Sequence, residues 1–198
     1  MIYQIYSFIR SLRNQIYTFF LSYCFQSFGK NSLIEAPIRL GGTKRITIGS
    51  NVFIGSDSWI TAALAEDLNE TKTSLEIGSG TSISGHCTIT SANKVIIGEN
   101  VLIARYAYIS DHSHHYKNIT QPIKEQGITP PRAVHIGSGA WLGQNVVITP
   151  GVSIGVNCVI GANSVVKNDI PDFTIAAGNP AKIIKSTAAN NDPRISNG

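Results

Sequence analysis

An aliphatic residue recurs at every sixth position between residues 134 and 166. The positions that follow this spacing are Ile136, Leu142, Ile148, Ile154, Ile160 and Val166. Helices and simple hairpins do not repeat by six, whereas hexapeptide repeats of this kind predict a parallel β-helix. Each short strand then turns its aliphatic residue inward, and glycine permits the bend that follows it. Stacked coils would bury one continuous aliphatic column.

The same period is present earlier in the chain and is interrupted twice. It occurs at Ile48, Ile54, Ile60, Ile77, Ile83, Ile89, Ile97, Ile103 and Ile109. It is lost near residues 62–73 and again near 110–132, and we interpret both stretches as loops that leave a corner of the coil. The first loop would serve solvation or a subunit contact. Together the repeats predict an all-β fold of about five triangular coils.

Residues 1–28 follow a different pattern, with apolar and aromatic side chains at helical spacing and polar ones between them. This predicts an amphipathic α-helix. Arg10 and Arg13 interrupt the stretch, so it is neither a membrane-spanning segment nor an ordinary signal peptide. Three interpretations stay open: the aromatic face packs on the β-helix or a neighbouring subunit, the helix lies on a membrane surface, or the segment is cleaved or disordered.

Composition narrows the classes of protein to consider. The 198 residues fit one β-helix domain over 29–185 with the helix as an appendage and a disordered tail over 186–198. Charged residues make up only 14%, which suits a surface buried in an oligomer. The net charge of +4 admits a polyanionic partner, but no basic run is interleaved with aromatics, so we expect no nucleic acid. Phosphates of a small cofactor fit better.

Candidate chemistry is concentrated in the second loop, where His112, His114 and His115 directly follow a predicted coil. A long loop inside a compact repeat is usually functional, and an imidazole can take a proton near neutral pH. The cluster could bind a metal together with Asp111, merely solvate the loop, or act in acyl transfer. Three cysteines without CxxC spacing indicate neither a zinc site nor a disulfide framework, so a reducing cytoplasm is expected.

The run IGSGAWLGQNVVITPGVSIGVNCVIGANSVVKNDIP, followed by AAGNPAKIIK, carries a resemblance that favours acyl transfer among these alternatives. It resembles the hexapeptide-repeat family of left-handed parallel β-helix acyltransferases, and most of all the sugar and polysaccharide O-acetyltransferases. The resemblance covers about residues 46–185. It implies a left-handed coil, acetyl-CoA as the acyl donor, no metal, and a homotrimer with active sites between subunits.

Within the second loop, Ser110-Asp111-His112 matches the position of the family's catalytic histidine, with His114 as the alternative base. The resemblance implies that this histidine removes a proton from the acceptor hydroxyl as it attacks the thioester, without a covalent acyl-enzyme. Strand alternation places Asp111 on the side away from the cleft. Backbone amides near Gly143 are the candidates for stabilising the oxyanion.

The resemblance also implies binding residues, each of which has a packed or solvated alternative. For the cofactor they are Trp141, Gly143, Gln144, Ala162, Lys167, Lys182 and Lys185. For the acceptor they are Ser84, His86 and Asn93. Ser91-Ala92-Asn93 stand where the galactoside and maltose branch carries a carboxylate, which favours a surface polysaccharide or a lipid-linked saccharide over a free sugar.

We therefore expect an acetyl-CoA-dependent sugar O-acetyltransferase, cytoplasmic or at the inner face of the membrane, with peripheral membrane contact through residues 1–28 as one option. Three rival functions stay open at this point. They are N-acetylation of a nucleotide-linked amino sugar, a zinc-dependent β-helix enzyme of the carbonic anhydrase type, and a non-catalytic scaffold.

Overall fold

The computed structural model describes residues 1–62 and 72–188. Much of the predicted first loop and nearly all of the predicted disordered tail therefore lie outside the described residues. The chain begins with helix α1 (Ile2–Ser22). Short strands follow, interrupted by two 3-10 turns at Thr43–Arg45 and Ile123–Glu125. Within the described part of the chain, no helix combines the length and hydropathy needed to cross a bilayer.

The strands follow one another in triplets, and each triplet is one coil. The first three coils comprise β1 (Ser27–Phe28), β2 (Leu33–Ile34), β3 (Arg39–Gly41), β4 (Ile46–Ile48), β5 (Phe53–Ile54), β6 (Trp59–Ala62), β7 (Leu75–Ile77), β8 (Ser82–Ile83) and β9 (Thr88–Ser91). The next three comprise β10 (Val95–Ile97), β11 (Leu102–Ile103), β12 (Tyr108–Ser110), β13 (Val134–Ile136), β14 (Trp141–Leu142), β15 (Val147–Ile148), β16 (Ser153–Ile154), β17 (Val159–Ile160) and β18 (Val165–Val166). A terminal hairpin of β19 (Thr174–Gly178) and β20 (Ala181–Ser186) closes the described chain.

Every strand of the first five coils pairs in parallel with the strand three places on, which builds three sheets. Sheet 1 runs β1-β4-β7-β10-β13-β16, sheet 3 runs β3-β6-β9-β12-β15-β18, and sheet 2 runs from β2 to β17 and ends on β19 and β20. We number the corners of this prism by the sheets they join: corner 1 follows sheet 1, corner 2 follows sheet 2 and corner 3 follows sheet 3. The structure is thus a parallel β-helix of three faces.

The core is the aliphatic column that the sixfold spacing predicts. All six repeat positions from Ile136 to Val166 are at most 2% exposed, and the isoleucines of the earlier coils are equally buried. Burying each such side chain contributes about 1.5–3 kcal/mol. Close stacking also explains the glycine at position 143, because a Cβ there would lie 2.6 Å from the backbone nitrogen of Ala162.

Two expectations need correction. The described residues form six coils instead of about five. Strands β1 to β3 make an additional first coil from residues that we assigned to the helix and to the segment before the first repeat. Phe28, Ile34 and Leu40 already follow the sixfold spacing there. The helix itself ends at Ser22. Most of its apolar and aromatic face does not pack on the prism of its own chain: the buried helix residues are Asn14 and Thr18, and Tyr17 and Leu21 pack only partly against the core.

Candidate active site

Asp111 lies directly after β12 at corner 3, and its side chain is fully buried. The oxygen Oδ1 accepts the backbone N–H of Ala92 at 2.9 Å, and Oδ2 accepts those of Asn93 and Lys94 at 2.8 Å each. The hydroxyl of Ser91 lies 3.3 Å from Oδ2, but it donates its one proton to the Ser74 carbonyl at 2.7 Å. The three backbone N–H groups can only donate, which is the bonding of a carboxylate rather than a carboxylic acid. The turn of the preceding coil thus holds a negative charge in a fixed position.

His112 lies against this carboxylate, with Nδ1 2.7 Å from Oδ1 of Asp111. Because the carboxylate oxygen can only accept, the hydrogen-bond network assigns the ring proton to Nδ1. The opposite nitrogen, Nε2, then carries a lone pair, and no group among residues 1–62 and 72–188 bonds it. The His112 side chain is 19% exposed. A substrate hydroxyl reaching this ring would meet a proton acceptor whose orientation is fixed.

The second loop leaves the prism at this point and forms an extended arm. Its base is closed by Arg132, whose backbone N–H donates to the Asp111 carbonyl at 2.7 Å. Further out the two sides of the arm run antiparallel, with His114 bridged to Ile128. His114 is exposed and no described residue hydrogen-bonds its ring, whereas His112 is anchored at the base. Of the two candidate bases, only His112 is held by a carboxylate.

Corner 2 gathers a second group of the candidate residues. Ser84 and His86 lie between β8 and β9, Gly143 and Gln144 between β14 and β15, and Ala162 between β17 and β18. The N–H of Gly143 donates to the Ile160 carbonyl at 2.8 Å, so it is committed to the ladder and the oxyanion donors expected near Gly143 would have to be other amides of this corner. The N–H of Gln144 has no partner among the described residues and faces an exposed corner.

The same corner carries two residues that the sequence analysis missed. The His86 ring stacks on Tyr106 with centroids 5.0 Å apart, and its Nε2 lies 3.7 Å from Oδ2 of Asp57. All three residues have positive φ and stand three places after an inward isoleucine, so they occupy the same turn position in successive coils. That shared spacing was the signal that could have identified them.

The remaining candidates lie elsewhere on the prism. Trp141 is outward on sheet 2 and about half exposed. Lys167 follows β18 at corner 3, and Lys182 and Lys185 are exposed on β20. Asn93 lies at corner 3, where its backbone holds Asp111 and its side chain is exposed.

One chain does not bring these residues into a single group. Corner 3 carries His112, and corner 2 carries Gly143 and Ala162. Sheet 3 separates them by about 10 Å for strands of three residues. No hydrogen bond joins the two groups within the described residues.

Other reactive groups do not supply an alternative centre. Burial raises the pKa of the Cys87 and Cys158 thiols above the usual 9.0, so both stay neutral and are poor nucleophiles at neutral pH. Cys24 is exposed. In the part of the chain that the structure describes, no three His, Cys, Asp or Glu side chains converge on a point that could hold a metal ion.

Comparison with known sequences gives two family matches. Residues 133–168 match the bacterial transferase hexapeptide (six repeats), and residues 45–65 match the hexapeptide repeat of succinyl-transferase. Two curated relatives are similar over a long stretch. A probable acetyltransferase of Mycobacterium tuberculosis is 37% identical over 80% of this chain and 49% of its own length. A putative lipopolysaccharide biosynthesis O-acetyl transferase of Escherichia coli is 42% identical over 52% of this chain and 56% of its own. The chain thus spans about half the length of these relatives.

Solved structures show the same relationship. A maltose O-acetyltransferase from Clostridium difficile superposes with a TM-score of 0.58 and 32% identity, over 84% of this chain and 72% of that one. A galactoside acetyltransferase in complex with coenzyme A gives a TM-score of 0.57 and 29% identity, over 84% and 67%. Together with the six-residue repeat and the three parallel sheets, these matches show that the chain belongs to the hexapeptide-repeat acyltransferase family.

Proposed function

We propose that this protein transfers the acetyl group of acetyl-CoA to a sugar hydroxyl, with His112 as general base. The observation that carries the proposal is the Asp111–His112 pair, in which a buried carboxylate held by backbone N–H groups leaves Nε2 as the free proton acceptor. A positioned base of this kind contributes about 10²–10⁴-fold to rate. The relatives named above as acetyltransferases support the same chemistry.

The transfer proceeds directly between the two substrates. Nε2 of His112 takes the hydroxyl proton while the acceptor oxygen bonds to the thioester carbonyl carbon. The carbon–sulfur bond then breaks, and the proton passes from His112 to the departing CoA sulfur, which regenerates the neutral ring. Asp111 stabilises the imidazolium formed in between and keeps the ring oriented. The thiols of Cys87 and Cys158 are buried and neutral, and Cys24 lies between α1 and the first coil, so none of these three cysteines is at corner 3 with His112 for an acyl-enzyme route.

The acyl donor is assigned to corner 2 and the faces beside it. Gly143, Gln144 and Ala162 would receive the pantetheine arm, and the N–H of Gln144 is available for a hydrogen bond there. Trp141 would wall off water, and the exposed Lys167, Lys182 and Lys185 would bind CoA phosphates as point charges. The galactoside acetyltransferase complex with coenzyme A supports this donor.

We infer that the protein is a homotrimer and that its β-helix is left-handed, as membership of this family suggests. A crystal structure would show the handedness of the coil directly. Side-by-side packing would bring corner 3 of one subunit to corner 2 of the next and so complete the site. The exposed side chains on the arm support this arrangement, because Tyr116, Ile119, Ile123 and Ile128 would find cover on a neighbour.

The acceptor is proposed to be a saccharide, with Ser84, His86 and Asn93 as contact residues and the cytoplasmic side of the membrane as the place of reaction. The test is release of the CoA thiol from acetyl-CoA with a de-O-acetylated surface polysaccharide and a lipid-linked saccharide as acceptors, beside maltose, methyl galactoside and glucosamine. Mild alkali should remove the acetyl group from the products, because an ester hydrolyses and an amide does not. Products that all resist alkali would assign the protein to N-acetylation instead, and no turnover with any saccharide would contradict the proposal.

A further inference from the structure

Helix α1 packs on the prism through its polar side, beside which Tyr17 and Leu21 pack partly against the core. Thr18 Oγ1 donates to the Ile34 carbonyl at 3.1 Å and accepts the Ile34 N–H at 2.9 Å. Arg10 pairs with Glu35 at 2.7 Å, and Asn14 bonds the same carboxylate at 3.4 Å. Strand β2, which contains Ile34, is the terminal strand of sheet 2, so its outer edge has no strand partner. The helix covers that edge and therefore lies at the first-coil end of the prism.

The opposite side of α1 is apolar and uncovered. At 100° per residue, one row of apolar side chains lies in the half of the helix that faces away from Asn14 and Thr18. Its members are between 47% and 69% exposed, and they are Ile5, Phe8, Leu12, Ile16, Phe19 and Tyr23. We call this set the outer stripe. An amphipathic helix normally buries its apolar side on the core, so this inverted orientation marks a surface that another apolar phase should cover.

The groups around the outer stripe are mainly basic. The helix contains no Asp or Glu. Arg10 and Arg13 lie on it, Lys44 bonds the Tyr23 carbonyl, and Lys30 lines the cleft beside Phe19. Glu35 is the carboxylate that pairs with Arg10, so this region carries more positive than negative side chains. A negatively charged surface complements this distribution.

We propose that α1 lies flat on an anionic membrane surface, with the outer stripe in the lipid and the basic groups at the phosphate level. Its 21 residues span about 31 Å. A second copy of the chain fits this surface less well, because it would bring a second set of arginines and lysines against the first. In the proposed trimer, cyclic symmetry keeps all three helices at one height along its axis, so they engage one plane together.

The test is flotation of the full chain with vesicles of phosphatidylcholine alone or mixed with phosphatidylglycerol. Wild-type protein should float with the anionic vesicles, less with neutral ones, and less at high salt. The double variant Leu12→Gln/Phe19→Gln should bind at least about tenfold more weakly, since two large apolar side chains leave the lipid. Ile183→Gln/Ile184→Gln removes two exposed apolar residues from β20 instead and should float like the wild type.

The proposal is overturned if wild-type protein stays at the bottom with anionic vesicles, or if the outer-stripe variant floats unchanged. It is also overturned if sedimentation shows a doubled assembly that the variant halves, which would assign the stripe to a second copy. Labelling Leu12→Cys in a Cys24→Ser background gives an independent reading. If the emission of an environment-sensitive fluorophore attached at this position shifts to the blue when anionic vesicles are added, the side chain is buried in lipid. An unchanged emission spectrum contradicts the proposal.

Discussion

Asp111 gives His112 what a solvent-exposed histidine lacks, namely a fixed orientation and a fixed partner for the charge that forms during proton transfer. The backbone N–H groups of residues 92–94 point at the carboxylate and hold it in place. Positioned in this way, it can stabilise an imidazolium on His112 directly.

The first prediction is that Asp111→Asn lowers kcat by about 10²–10⁴-fold, because an amide can hold the wrong imidazole tautomer. The KM for acetyl-CoA should stay near the wild-type value, since none of the proposed cofactor residues hydrogen-bonds Asp111. Stability should also fall by about 1–3 kcal/mol, because the amide NH₂ faces backbone donors. Steady-state kinetics and a thermal melt measure these effects.

Asp172→Asn is the matched control, since Asp172 also accepts a backbone N–H, that of Val156 at 2.9 Å, but has no histidine beside it. That variant should keep its kcat. A folded Asp111→Asn protein within about threefold of wild-type kcat would remove Asp111 from the mechanism.

Sequence could locate the histidine but not its partner's role. Alternation along a strand turns Asp111 inward, and the structure does place it in the interior. What alternation cannot show is that the chain bends after Ser110, so that the ring of the next residue folds back onto the carboxylate. The donors come from a turn some twenty residues earlier, and a long-range contact of that kind has no local signature.

Among the elements, α1 is joined to the open edge of strand β2 by one hydroxyl. Thr18 satisfies both the N–H and the carbonyl of Ile34, groups that would otherwise face an open strand edge. The sequence predicts this helix from its periodicity, but amphipathicity alone does not say which side faces the protein. The first coil was missed for a related reason, since Pro37 and the paired glycines at 41 and 42 suggest an irregular approach.

The second prediction is that Thr18→Val loosens α1, because the isosteric change leaves two backbone groups without their partner and costs about 1–3 kcal/mol of local stability. Hydrogen exchange in residues 2–22 should quicken accordingly, while exchange in the core strands stays unchanged. Thr18→Ser keeps the hydroxyl and should exchange like the wild type. Equal exchange in the Val variant and the wild type would show that the helix is held by other contacts.

At the scale of the whole molecule, the separation of His112 from the corner 2 residues has a direct consequence. If neighbouring subunits supply the two corners, each active site belongs to an interface and not to a chain. A heterologous contact repeated around a threefold axis produces this arrangement and closes the ring. Repeat spacing predicts the height of every residue along the prism, but the pairing of corners between subunits lies beyond what one sequence can show.

The third prediction concerns mixed trimers of two inactive variants, His112→Ala and Ala162→Trp. The first lacks the base at corner 3, and the second blocks corner 2 with an exposed bulky side chain. Random mixing leaves about a quarter of the interfaces with both corners intact, so about a quarter of wild-type activity should return. Each homotrimer should be nearly inactive. No recovery in verified mixed trimers would place the whole site within one chain.

The most direct test of the central claim is kcat for His112→Ala beside His114→Ala and the wild type, at saturating acetyl-CoA and a saccharide acceptor. His112→Ala should lose about 10²–10⁴-fold in kcat, the usual contribution of a positioned general base. His114→Ala should change little, because the His114 ring is exposed and lacks the carboxylate that orients His112. If His112→Ala instead kept more than about half of wild-type kcat while His114→Ala was nearly inactive, the base would be His114 and the Asp111–His112 account would be contradicted.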